Sequence, residues 1–319
     1  GGLRVALDDD ALREAPGWVA EQAKDGVTLE VVDAPSARQL APGVTPACLG
    51  GVYSPIDGQA DAMGTVRAFG IAALRERARI EEGVGADALV VTGGRVTGIR
   101  RSDGAVQGCD VAIVAAGVWT AGLLASAEIG LRLETRPLQM LLTATARAAL
   151  QPVLGAFGRK LSFKQLDSGA YLIGGGWPAR VVNLSANGWE LIPDSVDSSL
   201  ATAREVYPSV AGVAFARGWA GLEAFTPDEV PVLGPVPGID GLFVAAGFSG
   251  HGFALSPMIG DVLARLALGR DARPELWRRL RFDRPGAAGQ RPSQGTPTDT
   301  GLYNPTARPG SDARGSPAG

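Results

Sequence analysis

The stretch "LFVAAGFSGHGFALSPMIGDVLARL", residues 242–266, decides the reading of this chain. It opens with an apolar run of strand length, "LFVAAG", and closes with an apolar helical pattern. Between them stands a turn built from Gly247, Gly250 and Gly252, which carries the single histidine of the sequence, His251. The first amides of a helix have no intrahelical acceptor and carry about half a positive charge. Glycines let an anion or a flat ring approach such amides closely. The same glycines also suit a tight strand-to-helix turn with no ligand.

A second apolar run, "DVAIVAAG" at 110–117, rhymes with the first, and both read as central strands of one sheet, buried on both faces. "GVWTAGLL" after it reads as a turn into a helix. The segment 61–79, "DAMGTVRAFGIAALRERAR", predicts a helix with Val66, Phe69, Ala73 and Leu74 on one face and Arg75, Arg77 and Arg79 at its C-terminal end. The segments "ALVVTGG", "RVTGIRRSDG" and "VQGCDVAIVAAG" read as short strands separated by Gly93-Gly94 and Asp103-Gly104. Near the N-terminus, "DDDALREAPGWVAEQAKDG" predicts a helix with an acidic first turn, stopped at Gly26. "VTLEVVD" follows as a strand, and the stretch from "ARQLAP" through "PACLGGVYSPIDGQAD" reads as loop and short strands.

Between about 131 and 230 the pattern alternates. "RLETRPLQMLLTAT", "KLSFKQLDSGAYLIGGG" and "VAFARGWAGLEAFT" predict antiparallel strands with one wet face. The helix "SVDSSLATAREVYP", capped by one of its serines, is inserted among them. From about residue 284 the sequence is rich in Pro, Gly, Ser and Thr, the composition of a disordered tail.

Composition excludes several classes. Hydrophobic residues make up 45% and charged residues 20%, as in a globular protein with a substantial core. The net charge of -3 and the absence of a basic stripe argue against nucleic acid and give no reason for an anionic membrane partner. No apolar run reaches the roughly 18–20 residues of a membrane helix. Cys48 and Cys109 read as reduced thiols of a cytoplasmic protein, and with one His they leave no metal site. No G-x-S-x-G elbow accompanies His251, and Ser249 is too close to it in sequence to read as a triad partner.

These residues bring the chain to a family. "AAGFSGHGFALSPMIGDVLARL" closely resembles the C-terminal flavin turn of the FAD-dependent amino acid oxidase family, the group of D-amino acid, glycine and sarcosine oxidases. "RGWAGLEAFTPDEVPVLGPVPGIDGLFVAAG", residues 217–247, resembles the family's Arg-x-Trp-x-Gly, Thr-Pro-Asp and Pro-x-x-Gly segment. The region 61–120, ending in "AAGVWT", is similar to its middle portion, and 136–177 to its substrate-domain strands. The nearest likeness is to the smaller subunits of opine oxidases and of hydrogen cyanide synthase, which implies a partner subunit. The resemblance covers about residues 1–280.

The resemblance implies an α/β plus α+β fold. An incomplete, Rossmann-like FAD-binding domain would take 61–130 and 231–284. An antiparallel-sheet substrate domain would take 1–60 and 131–230, leaving 285–319 as the tail. It implies non-covalent FAD held by Gly247, Ser249, Gly250, His251, Gly252 and Phe253. Backbone amides of Ser249–Phe253 would stabilise the anionic N1/C2-carbonyl edge of the reduced ring. Ala116 and Gly117 would lie at the adenosine end, and Val84 either near the adenine or in the core. The implied chemistry is oxidation of a C–N bond of an amino acid or secondary amine, with hydride passing to the flavin.

The sequence departs from the pattern in two ways. The family's opening Gly-x-Gly-x-x-Gly turn, which cradles the pyrophosphate, is not found here. That leaves the expectation of a fragment, or of a segment supplied by another chain. A third reading is a degenerate paralogue or interaction subunit without cofactor. The chain as given would then bind FAD weakly or not at all and expose a parallel sheet edge prone to aggregation. The second departure is Glu223, which stands where relatives often place an Arg to clamp the substrate carboxylate. Glu223 either favours a cationic amine or faces solvent. It is the first catalytic candidate, Arg217 the second, and Lys160 and Lys164 are further positions for a substrate anion.

Overall fold

A computed structural model describes residues 1–284, apart from 148, 271 and 273. The expected tail, 285–319, lies outside the described residues. In chain order the elements are β1 (Gly2–Ala6), α1 (Asp9–Lys24), β2 (Glu30–Asp33), α2 (Ala34–Leu40), β3 (Gly50–Ser54) and α3 (Ala62–Arg75). Then come β4 (Ala86–Thr92), β5 (Arg95–Arg101), β6 (Val106–Gly108), β7 (Ala112–Val114), α4 (Thr120–Ala125) and β8 (Glu134–Thr145). These are followed by β9 (Val153–Ala156), β10 (Ser162–Gln165), β11 (Ala170–Gly174), β12 (Arg180–Asn183), β13 (Gly188–Glu190) and α5 (Pro193–Val206). The last are β14 (Phe215–Phe225), β15 (Val232–Pro235), β16 (Leu242–Ala246), α6 (Gly252–Ala267) and α7 (Pro274–Trp277). The mixed α/β character matches the fold class expected from the sequence.

The chain forms two compact units. The first takes Gly1–Arg67, Leu138–Arg180 and Glu190–Gly221; the second takes Ala68–Pro137, Val181–Trp189 and the residues from Leu222 on.

The first unit is organised by an eight-stranded sheet in the order β14-β8-β11-β10-β9-β1-β3-β2. Its pairing is mainly antiparallel, but β1 runs parallel to β9, with Leu3 opposite Leu154. Strand β1 adds to the helix, strand and short strands expected within 1–60, and no strand is expected at its position. The missed signal is the alternation in "GLRVA", which buries Leu3 and Val5 and leaves Arg4 exposed. The reading also missed α2, whose start is written in the sequence. Asp33 caps it by accepting from Ser36 N–H at 2.9 Å, and Pro35 sits in its first turn. Helix α5 begins at Pro193 after Ile192, without a side-chain cap, so none of its serines serves as the predicted cap. Proline's fixed φ and missing N–H do that work at the first helical position instead.

The core of this unit centres on Phe163 and Tyr171, stacked 5.1 Å apart, with Tyr207 tilted against both. One buried polar residue ties the loop before β9 to the hairpin. Gln165 Oε1 accepts from Ala149 and Leu150 N–H at 2.8 and 3.0 Å, and its Nε2 donates to Arg147 and Gly169 carbonyls at 3.0 and 2.9 Å. Gln165→Leu keeps the volume but strands two donors and two acceptors. Each buried unsatisfied group costs about 1–3 kcal/mol. The variant is expected to lose roughly 3 kcal/mol or more in urea denaturation.

The second unit holds a three-stranded sheet, β15-β16-β7, and a separate antiparallel sheet, β4-β5-β6. Strands β16 and β7 are parallel, with Val244 opposite Val114. The two apolar runs are therefore neighbours in one sheet, as their rhyme predicts. Burial on both faces holds for Val244, Ala245 and Ala246 but not for β7. Ala112 and Val114 are buried, whereas Ile113 is 42% exposed. Among the described residues β7 is an edge strand, covered on one face. Helix α3 departs from expectation similarly. Its apolar residues Val66, Phe69 and Leu74 are all more than half exposed and Ala73 is half-buried, so the predicted face is present but largely uncovered among the described residues.

No helix among the described residues is long and apolar enough to cross a membrane.

Candidate flavin and substrate site

The turn after β16 is shaped by three left-handed residues: Gly247 at φ 68°, Ser249 at φ 49° and Gly250 at φ 88°. A Cβ on Gly247 would strike the Thr226 methyl and lie 3.1 Å from Leu133 Cδ2. Ser249 is buried, and its hydroxyl donates to the Gly247 carbonyl at 3.1 Å, which holds a non-glycine residue in this conformation. His251 lies at the start of α6, is exposed, and its side chain caps nothing.

The turn narrows which amides remain for a ligand. Ser249 N–H donates to the Ala224 carbonyl at 3.2 Å, and His251 N–H to the Phe248 carbonyl at 2.9 Å. The Gly250 backbone lies beside the Glu223 carboxyl, and its amide favours the charged form. Of the amides expected to face a flavin, Ser249 and His251 are thus spent within the turn. The backbone amides of Gly252, Phe253 and Ala254 have no backbone acceptor and sit at the positive end of a 16-residue helix.

Glu223 lies on the strand that borders this turn. The next two residues hold the turn in place, Ala224 through Ser249 and Phe225 through a bridge to Phe248. The Glu223 carboxyl is half-buried, and burial pushes its pKa above the ordinary carboxylate value. The His251 imidazole and the Gly250 amide pull it partly back. This is a carboxylate short of positive charge. Arg217 belongs to the first unit; it is exposed, its guanidinium 5.3 Å from the Trp219 ring centroid. Lys160 is likewise exposed, 5.6 Å from the Trp177 ring.

Strands β7 and β16 end side by side, and the turn after β7 carries Ala116 and Gly117. A cavity of about 400 Å³ there is lined by Val84, Gly85, Ala115, Ala116, Gly117 and Trp119. Three residues singled out from the sequence, Val84, Ala116 and Gly117, therefore share one cavity. It sits outside the carboxyl ends of parallel strands, where ligands of open α/β sheets bind.

Arg284 stands at the end of the expected FAD-binding segment 231–284, and its contacts are not announced by the sequence. Its side chain is 10% exposed and grips the Thr-Pro-Asp segment, with Nε and Nη2 donating to the two Asp228 carboxylate oxygens at 3.0 Å each. Its Nη1 donates to the Pro231 carbonyl at 2.9 Å. A lone arginine before a Pro-Gly tract gives no local signal for this. The bidentate pair holds the Asp228 pKa down at about 2. The sign follows from linkage: the stabilisation is complete above the unfolded carboxylate value and is lost as pH falls through about 2. Arg284→Met is expected to lower the thermal midpoint at neutral pH. Its deficit relative to wild type should shrink as pH falls from about 4 toward 2.

Known proteins share this sequence and fold. Residues 1–266 match the family described as DAO, FAD dependent oxidoreductase. The chain is 29% identical over 270 residues to glycine oxidase of Pseudomonas putida, covering 83% of this chain and 69% of that protein. It is 28% identical to the hydrogen cyanide synthase subunit HcnC of Pseudomonas aeruginosa, covering 83% of this chain and 62% of that one. Among solved structures, glycine oxidase from Geobacillus kaustophilus superposes with a TM-score of 0.77 at 21% identity, over 91% of this chain and 74% of that one. L-proline dehydrogenase from P. horikoshii gives 0.76 at 21% identity, over 86% and 74%.

Proposed function

The chain belongs to the FAD dependent oxidoreductase family, and from that premise we propose that it serves the oxidation of a C–N bond in a small amine or amino acid, with Glu223 selecting a cationic nitrogen. The observation that carries this reading is the half-buried Glu223 carboxyl beside Gly250, on the strand that borders three unspent amides at the start of α6.

The residues present suit FAD. Gly252, Phe253 and Ala254 amides offer donors to an anionic edge. Gly250 keeps the backbone free of a side chain on the side of Glu223, where a Cβ would meet nothing closer than Oε2 at 3.7 Å. Val84, Ala116 and Gly117 line a cavity for the adenosine end. When bound, FAD supplies the oxidant that accepts hydride from the carbon next to nitrogen. Glu223 would hold the substrate ammonium and take one proton from it, leaving a neutral amine whose adjacent carbon can give up hydride and whose nitrogen then carries the new C=N bond. The similarity to HcnC, a subunit of hydrogen cyanide synthase, supports the proposal that a partner subunit completes the assembly.

The test is anaerobic reduction of FAD-loaded protein by a panel of N-alkyl amino acids, simple amino acids and diamines. Bleaching of flavin absorbance by amines that are cationic near the reacting carbon is the expected result. FAD uptake without bleaching by any member would overturn the proposed oxidation. Failure to take up FAD would favour a subunit of the same fold that works without cofactor.

A further inference from the structure

We propose that the first unit carries a binding site for a small zwitterion of the α-amino acid type, in a groove of about 210 Å³ formed by Arg4, Trp18, Ser54 and Asp57 on one face of the large sheet. None of these residues is among those assigned to the flavin or to Glu223, and the site does not depend on the proposed oxidation.

The cationic end is built around Arg4. Its guanidinium carbon lies 5.3 Å from the Trp18 ring centroid and 5.6 Å from that of Phe157, and the two rings meet edge to face at 5.8 Å. Arginine on aromatic faces is held by cation–π attraction while its N–H edge stays available. Among the described residues no carboxylate pairs with it. On the neighbouring strand the residue opposite Arg4 is Gly155, and a Cβ there would stay 3.9 Å from Arg4 Nε.

The anionic end lies two residues back along the same strand. Asp57 leans over Gly2, so closely that a Cβ there would sit 2.5 Å from Asp57 Oδ2. Glycine at position 2 is what makes room for this carboxylate. Asp57 also has no cationic partner among the described residues. Residues two apart on a strand share a face, roughly 6.6 Å apart. Opposite Gly2 on β3 stands Ser54, a residue of the groove wall that is 4% exposed and whose buried hydroxyl has no hydrogen-bond partner. A buried hydroxyl without a partner costs free energy that a ligand atom would recover.

The groove thus presents an unpaired cation, an unpaired anion and an orphaned hydroxyl, flanked by an indole. A ligand carboxylate on Arg4 and a ligand ammonium on Asp57 satisfy both charges together. A simple anion or a simple cation satisfies one.

The test follows the indole N–H resonances of the six tryptophans in 15N-labelled protein, with Trp18 assigned from Trp18→Phe, during titration without FAD. The probes are alanine, propionate, which lacks the ammonium, and alaninamide, which lacks the carboxylate. Alanine is expected to shift the Trp18 signal saturably and to bind more tightly than either analogue. Arg4→Met should weaken alanine and propionate about tenfold or more and leave alaninamide unchanged. Asp57→Asn should weaken alanine and alaninamide and spare propionate. Ser54→Ala, which removes only the orphaned hydroxyl, should weaken alanine severalfold in a protein with an unchanged circular dichroism spectrum. A Trp18 signal that alanine does not move, or alanine binding that survives both Arg4→Met and Asp57→Asn, would overturn the proposal.

Discussion

Gly247→Ala is expected to cost about 2–5 kcal/mol of folding stability and to remove FAD binding with it. The added methyl meets two penalties at once. A left-handed conformation at a non-glycine residue costs roughly 1–2 kcal/mol. The methyl also has nowhere to go, because it lands on the Thr226 side chain, and Leu133 stands 3.1 Å away. Thr226 cannot yield easily. It is 1% exposed, its hydroxyl donates to the Val230 carbonyl at 2.8 Å, and the segment it opens is gripped by Arg284. Gly250→Ala is the informative control. Its φ of 88° carries similar backbone strain, but the nearest atom to a new Cβ is Glu223 Oε2 at an ordinary 3.7 Å. Its cost is therefore about 1–2 kcal/mol, from backbone strain alone. Equal losses for the two variants in urea denaturation would contradict the role assigned to the Thr226 contact.

Glu223→Gln is expected to separate stability from activity. The native environment raises the Glu223 pKa through burial, so the fold favours the neutral carboxyl. Ionising it in place costs stability, and that cost grows as pH rises through the raised value. Glutamine avoids the cost and keeps the shape. The variant should therefore melt a few degrees higher than wild type at neutral pH, with the advantage vanishing below the ordinary carboxylate range. Turnover of a cationic amine should move the other way. Losing the carboxylate partner of a desolvated ammonium costs about 2–5 kcal/mol, a drop in kcat/KM of roughly thirtyfold or more. In wild type, KM for such an amine should fall as pH rises through the Glu223 pKa, and in the glutamine variant this pH dependence should disappear. A Gln variant that melts lower and still oxidises cationic amines as wild type does would remove Glu223 from the substrate site.

Local chemistry made the turn legible. A strand, three glycines and a helical pattern can be joined in few ways, and the structure joins β16 to α6 as read. The start of α2 is equally legible, since Asp33 is a standard cap and Pro35 a standard first-turn residue. Burial was less legible. The apolar face of α3 and the apolar run of β7 are correct as patterns, but a pattern does not say what covers it. Ile113 and Phe69 stay exposed among the described residues. Hydrogen bonds at long sequence separation were not legible at all. Ser249 N–H goes to Ala224, 25 positions back, and Arg284 reaches Asp228 across 56. The first changes which amides are free for a ligand. The second turns a family-like Thr-Pro-Asp motif into a clamped structural segment.

The central claim is that the turn 247–254 and the cavity at Val84, Ala116 and Gly117 hold the two ends of one FAD molecule. Amide hydrogen exchange with and without saturating FAD tests it most directly. The amides of Gly252, Phe253 and Ala254, which have no backbone acceptor, should slow markedly on adding FAD, together with those at 84–86 and 115–117. The β4-β5 turn at Gly93-Gly94 should not change. Exchange at 247–254 that is identical with and without FAD, in protein shown to be folded, would contradict the account.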